Sequence, residues 1–274
     1  MSQVVSRRAA SSAAVSLARV GFVGRGVIYL VVGWLALMTA VGVGSASIAD
    51  KQQALQTVGA EPLGTFLLVI VSAGLLAYAV WSLIRAILDP EQRGHDAGAI
   101  FARIGNAVAA VSYGGLGVGA ARLALGLGSV GKGSDESTQD WTARLLEAPF
   151  GPPLVIGLGL IVLAVAAIEL GRAYKASFQD DLRGELRGAE RKWLIRFGRL
   201  GFFARAVVFA LIGGFLIQAA RHEDASQAIG LGGALQKLAE QSFGPVLLAI
   251  VALGLCMYGL FSLAEARYRR LNGV

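Results

Sequence analysis

The residues best equipped for chemistry are arginines set inside apolar sequence. Arg19, Gly21, Arg25, Tyr29 and Gly33 follow one another at short intervals. The same pattern returns 180 residues later as Arg199, Gly201, Arg205, Phe209 and Gly213. It also returns 84 residues after the first copy as Arg103, Gly105, Tyr113 and Gly117, with Ala109 in place of the second arginine. A guanidinium is a permanent cation with five donors in a fixed fork, suited to carboxylates, phosphates and other anions. Two readings of Arg19, Arg25, Arg103, Arg199 and Arg205 stand side by side. In one, the side chains snorkel to a membrane interface and fix topology. In the other, they form a basic cytoplasmic rim that attracts small anions or anionic lipid headgroups. Glu169 and Glu265 lie where they could pair with these arginines, while Arg85 and Arg172 sit at comparable places. The pairing would therefore be incomplete and would leave spare positive charge.

The steps of four from Gly21 to Gly33 keep these residues near one helix face, drifting about 40° per step. Here too there are two readings. Gly33, Gly117 and Gly213 suit a close-packed helix seam, because small residues let membrane helices approach. Alternatively, Tyr29, Tyr113 and Phe209 line a central axis and form a ring of aromatic side chains.

Other chemistries lack their residues. There is no phosphate-binding loop, nucleophile elbow or metal motif. His95 and His222 fall in loops on opposite sides of the expected bundle. The lone cysteine, Cys256, lies in an apolar run and reads as a packing residue. Asp135, Glu136 and Asp140 form an acidic cluster that reads as a solvated loop, without the ligand spacing of a calcium loop. Apart from Asn106, the polar groups expected near mid-membrane are Ser, Thr, Tyr and Trp. That argues against proton- or sodium-coupled transport, which uses an ionisable group there. The expectation is a non-enzymatic protein with no cofactor, no metal and no nucleic-acid partner.

The elements that must position these residues are membrane helices. The chain is 55% hydrophobic and 16% charged, against about 25% charged in ordinary soluble domains. Its apolar runs are long enough to cross a hydrocarbon core of about 30 Å. Six spans are expected, at about 22–43, 63–88, 104–127, 154–172, 201–220 and 246–264. Residues 1–17 read as an interfacial tail. The hydrophilic stretch 175–197 reads as an amphipathic helix on the cytoplasmic surface, since Phe178, Leu182, Leu186, Ala189 and Trp193 recur at helical spacing. An even number of spans puts both termini on one side. Of the 25 lysines and arginines, only Lys51, Arg122, Lys132, Arg144, Arg221 and Lys237 fall on the opposite side. By the positive-inside rule both termini are cytoplasmic.

The copies define three units: 18–98, 99–174 and, after the 175–197 segment, 198–270. The register between the first and third persists beyond the arginines. Gly64 matches Gly244, Gly74 matches Gly254, Tyr78 matches Tyr258 and Ser82 matches Ser262. Each unit holds an odd span, an outer connector and an even span. Two crossings per unit leave all three in parallel, so the expected fold is all-α, with six helices about a pseudo-threefold axis. Ile48, Leu55 and Val58, then Trp141, Leu145 and Ala148, then Leu231, Leu235 and Leu238, are spaced for short amphipathic helices in the outer connectors.

The triplicated Arg-x-Gly-x-x-x-Arg/Ala-x-x-x-Tyr/Phe-x-x-x-Gly pattern, followed by an even helix, resembles the bacterial domain-of-unknown-function family 1206. The resemblance implies a bacterial multi-pass protein of the cytoplasmic membrane and carries over no catalytic or binding residue. Two functions remain: a passive conduit or uncoupled carrier for a small solute, anion or lipid, and a non-transport scaffold, lipid-binding or regulatory subunit. The partner expected in either case is the bilayer, including anionic lipid.

Overall fold

The computed structural model describes residues 2–42, 55–56, 64–88, 97–127, 134–179, 182 and 188–269. In these the elements are helical: α1 (Ser2–Ala40), α2 (Gly64–Leu88), α3 (Ala97–Ala124), α4 (Ser134–Leu146), α5 (Gly151–Lys175), α6 (Ala189–His222), α7 (Leu231–Ala239) and α8 (Gly244–Tyr268). Six of them are long and apolar enough to cross a membrane: α1 over Ala18–Ala40, α2, α3 over Ala102–Ala124, α5, α6 and α8. The protein is a multi-pass helical membrane protein built from three two-span units.

Local sequence explains where the spans begin. α5 and α8 carry proline in their first turn, where the missing N–H is no loss. Just before each, the chain turns sharply out of a short outer helix, α4 or α7. Gly151 and Gly244 lie against the carbonyls of Leu146 and Ala239, leaving no room for a Cβ. Leu235 and Leu238 of α7 are buried, as its amphipathic spacing requires. In the first connector only Leu55 and Gln56 are described, both helical, and Leu55 is fully buried. Ile48 and Val58 lie outside the described residues.

Two expectations need correction. Residues 2–17 are not a separate tail but continue the first span as one helix. The stretch 175–197 is not a free-standing amphipathic helix. α5 ends at Lys175, a single 3₁₀ turn covers Ser177–Gln179, and residues 189–197 are the first turns of α6. The helix is interrupted because Ala176 takes a left-handed conformation, which ends a helix. Phe178 and Leu182, expected to face the membrane surface, are instead buried in the protein. Phe178 stacks on Phe202 and meets Phe261 edge-on. Leu182 forms an isolated backbone bridge with Arg269. Trp193 is exposed.

The spans pack in chain order. The most extensive contacts are α1 with α8, α2 with α3 and α5 with α6, and each joins one unit to the next. Within units, α1 packs on α2 and α6 packs on α8. These five interfaces trace a pseudo-threefold ring with one side missing: α3 and α5, the spans of the second unit, share no comparable interface among the described residues.

Candidate functional site: a central arginine–tyrosine–carboxylate cluster

The three seams between units are built alike. An ideal Cβ on Gly33 would lie 2.6 Å from Cys256 Sγ, one on Gly117 would lie 2.8 Å from Leu76 Cγ, and one on Gly213 would lie 2.9 Å from Leu163 Cγ. Each glycine of an odd span thus sits against the same position of the preceding unit's even span. Cys256 fills that position in the third unit, a packing role for the lone thiol.

Inside this frame the second arginine of each complete pattern is drawn into the protein. Arg25 is 6% exposed. Its Nη1 donates to the Tyr78 hydroxyl at 2.6 Å, its Nε donates to Ser262 Oγ at 2.9 Å, and its Nη2 pairs with Glu265. Ser262 Oγ in turn donates to the carbonyl of Phe22 at 2.9 Å. Glu265 also accepts from Arg269, which is buried as well. Arg205 repeats the arrangement one unit away. It donates to the Tyr258 hydroxyl and faces Glu169 at 3.3 Å. Each arginine therefore binds a tyrosine of its own unit and an acid of the preceding unit. A permanent cation in hydrocarbon must be paired in this way or leave the membrane.

Aromatic rings enclose the cations. Arg25 lies over Phe22, Tyr78 and Tyr258 at 4.8–5.3 Å, and Arg205 lies over Tyr29, Phe209 and Tyr258 at 4.4–5.8 Å. Such contacts add electrostatic attraction in a desolvated site. Tyr29 meets Tyr258 edge-on with centroids 4.8 Å apart, and Tyr113 meets Tyr78 in the same way at 4.8 Å. Tyr113 also interacts electrostatically with Tyr29 and Arg205. Groups from all six spans, α1, α2, α3, α5, α6 and α8, therefore converge at the centre.

The arginines named from sequence fall into three settings. Arg25 and Arg205 belong to the central cluster, so the snorkelling reading does not describe them. Arg103 donates from Nε to the carbonyl of Ala86 at 2.8 Å and from Nη2 to that of Ile87 at 2.6 Å. It thereby satisfies carbonyls left free at the C-terminus of α2. Arg19 and Arg199 are exposed. Tyr29 and Tyr113 are 5% and 6% exposed, and Phe209 is partly exposed beneath Arg205. Sequence reasoning matched Tyr78 with Tyr258 and Ser82 with Ser262 but did not assign the tyrosines or Ser262 to the site. A signal was present: where Ala109 replaces the arginine, Val165 stands in the tyrosine's place.

The acidic outer cluster has a different role. Asp135 Oδ1 accepts from the backbone N–H groups of Gly230 at 2.6 Å and Gly233 at 2.9 Å. It caps α7 from another unit, as a residue of α7's own approach would ordinarily do. Among the described residues no group of three acids, histidines or cysteines could hold a metal ion.

This threefold construction agrees with comparison to known proteins. The family model described as Domain of Unknown Function (DUF1206) matches residues 20–89, 104–176 and 200–269. The chain belongs to the DUF1206 family. Each DUF1206 match covers one unit, and the stretch between the second and third matches covers the start of α6. A relative, "Uncharacterized protein YxxB" of Bacillus subtilis (strain 168), is 34% identical over 257 residues, 93% of this chain and 90% of the relative. No solved structure matches.

Proposed function

We propose that this DUF1206 protein is a non-catalytic, uncoupled carrier for a small anion or anionic lipid. It works at the central arginine cluster, in the bacterial cytoplasmic membrane, with both termini in the cytoplasm. The observation that carries this reading is the burial of Arg25, and the enclosure of the partly buried Arg205, among spans from all three units. Ionisable groups held inside a membrane bundle mark substrate or ion pathways. Arg25 and Arg269 share Glu265, and Arg205 faces Glu169; a cluster of permanent cations is suited to a negative guest. No carboxylate stands apart from an arginine in it, which fits an uncoupled mechanism better than a proton-coupled one.

A second reading has its own support. The glycine seams are closed and Tyr29 and Tyr113 are sealed against Tyr258 and Tyr78, as a rigid scaffold or regulatory subunit would require. Flux from liposomes loaded with chloride, phosphate or a fluorescent anionic lipid separates the two. The carrier reading expects wild-type flux that Arg205→Ala lowers by about tenfold or more. Absence of flux for every solute with correctly inserted wild-type protein sinks it and leaves the scaffold. A periplasmic C-terminal tag would overturn the orientation.

A further inference from the structure

The third unit leads into its odd span with a basic and aromatic stretch that the other two lack. All three odd spans share one edge arginine, Arg19, Arg103 or Arg199. In the turns before Arg199 the third unit places Arg191, Lys192, Trp193 and Arg196. At the corresponding positions the first unit has Ser11, Ser12, Ala13 and Ser16, and the second has His95, Asp96, Ala97 and Ile100. The pattern of the repeat is therefore kept without such a cluster, and the residues that make it lie outside the three family matches.

α6 carries this stretch as an unbroken continuation of its span, and the helix has two faces there. Leu194, Gly198, Gly201 and Phe202 are buried in the bundle, where Gly198 lies against the ring of Phe178. Lys192, Trp193, Arg196, Arg199, Leu200 and Phe203 are exposed, and their spacing sets them on the opposite face. Leu200 and Phe203 are 54% and 45% exposed, which on a membrane span marks the side that meets lipid. One stripe thus runs straight from apolar to basic side chains. At 1.5 Å per residue, Arg199 and Arg196 follow Leu200 by about 2 and 6 Å along the axis, inside a headgroup layer about 5–8 Å deep. Trp193 leans toward that layer. Its ring lies 5.9 Å from that of Phe197, and the Arg196 guanidinium lies over it at 5.2 Å; both residues are about one turn nearer the span. Exposed tryptophan at this depth is typical of a membrane interface. The cations are also available. Arg191 reaches the neutral side chain of Gln179 at 3.5 Å, and among the described residues none of Arg191, Lys192, Arg196 and Arg199 meets a carboxylate.

We propose that this face of α6, from Lys192 to Arg199, is a binding surface for anionic phospholipid. Lys192, Arg196 and Arg199 hold the phosphate-bearing headgroups, and Trp193 is seated among them. Basic residues clustered immediately outside a span attract anionic lipid by charge, and here the helix sets them on its lipid-facing side. A soluble acidic partner would have to reach the same stripe through the headgroups, so lipid is the occupant that the geometry favours. The surface is separate from the central arginine cluster and requires no transport by the protein.

The test uses the full chain in phosphatidylcholine vesicles that contain a lipid brominated on its acyl chains, either phosphatidylglycerol or phosphatidylcholine. Wild-type fluorescence minus that of Trp193→Phe isolates Trp193 among the four tryptophans, and bromine quenches it on contact. Brominated phosphatidylglycerol should compete for Trp193 about fivefold better than brominated phosphatidylcholine. Salt at about 1 M, where screening acts within about 3 Å, should remove that preference. So should Lys192→Gln, Arg196→Gln and Arg199→Gln combined, whereas Arg196→Lys with Arg199→Lys should keep it. If the glutamine variant does not insert, the salt series decides. Equal quenching by the two lipids, a preference that survives the glutamine variant or the salt, or its loss to millimolar inorganic phosphate at constant ionic strength would each overturn the proposal. Quenching by neither lipid would overturn it as well and would point to an acidic protein segment on this face.

Discussion

The first and second units share a repeat pattern but have diverged in sequence and take different shapes. Both enter the membrane in the same direction and both seat a glycine of the odd span on the preceding even span. In the first, Gly24 and Gly74 let the two spans touch, and Arg25 binds the hydroxyl of Tyr78. In the second, Val108, Ile161, Ala109 and Val165 occupy those four places, and α3 and α5 share no comparable interface among the described residues. The lesson is that between-unit seams hold the ring, while within-unit contacts are a separate feature that can be lost in one unit. Small residues govern approach distance in membranes, and the second unit lacks them at its crossing.

The largest expected effect comes from the acid shared by Arg25 and Arg269. Glu265→Ala leaves two buried cations without their carboxylate, and breaking a buried pair from one side costs about 3–5 kcal/mol. Thermal unfolding in detergent should fall steeply. Glu169→Ala removes the acid that faces the less buried Arg205, and its loss should be smaller; equal losses would erase the distinction between the two complete sites. Next comes an attempt to make the first unit resemble the second. Gly24→Val places its side chain on the backbone of Gly74 and should cost about 1–3 kcal/mol by overpacking. Its α1–α2 separation, read by spin labels, should widen toward that of α3–α5. The converse double variant, Val108→Gly with Ile161→Gly, should narrow the α3–α5 separation; no change would show that sterics at the crossing do not hold the unit open.

Smaller effects lie in the outer connectors, where the second unit is tied to the third. Asp135→Ala removes a cap worth about 0.5–2 kcal/mol, and hydrogen exchange at Gly230 and Gly233 should accelerate. Smallest is a pH effect at the turn after α6. Asp224 accepts from the Ser226 hydroxyl and backbone and from Gln227, and these bonds hold its carboxyl below the usual range. Because its folded pKa is depressed, the stabilisation is present above the ordinary aspartate value of about 3.9. It is lost as pH falls through the lower folded value. The carbonyl of Ser226 receives Gln139 of α4, so exchange at Ser226 and mobility of α4 should rise together on acidification.

Much of this was legible in residue order. Six spans, three parallel units and the glycine seams follow from apolar run length and the recurrence of Gly33, Gly117 and Gly213. That Glu265 and Glu169 could pair with the pattern arginines was visible too, but which arginine each takes, and that Arg25 and Arg205 do not snorkel, shows only in the packed helices. The burial of Phe178 and Leu182 was not legible. Their helical spacing is the same whether the apolar face meets lipid or protein, and only the turn at Ala176 decides between them. The cap supplied by Asp135 was hidden for a different reason. A cap from the same helix shows as a local pattern, whereas Asp135 acts 95 and 98 residues away. The open side of the second unit was half visible: Ala109 stood out among the copies, but the matching changes at Val108, Ile161 and Val165 gain meaning only when the helices are seen to part.

The pairing of the first span with the last also bears on synthesis. Arg25 enters the membrane with α1, and its acid, Glu265, lies 240 residues further on. Until α8 is inserted, the arginine has Tyr78 but neither Ser262 nor Glu265. Between the insertion of α1 and that of α8 the nascent chain therefore carries an intramembrane charge without its acid, and the arrival of α8 neutralises it. A chain truncated before α8 keeps that charge, with Tyr78 left of the three side chains that bind its guanidinium.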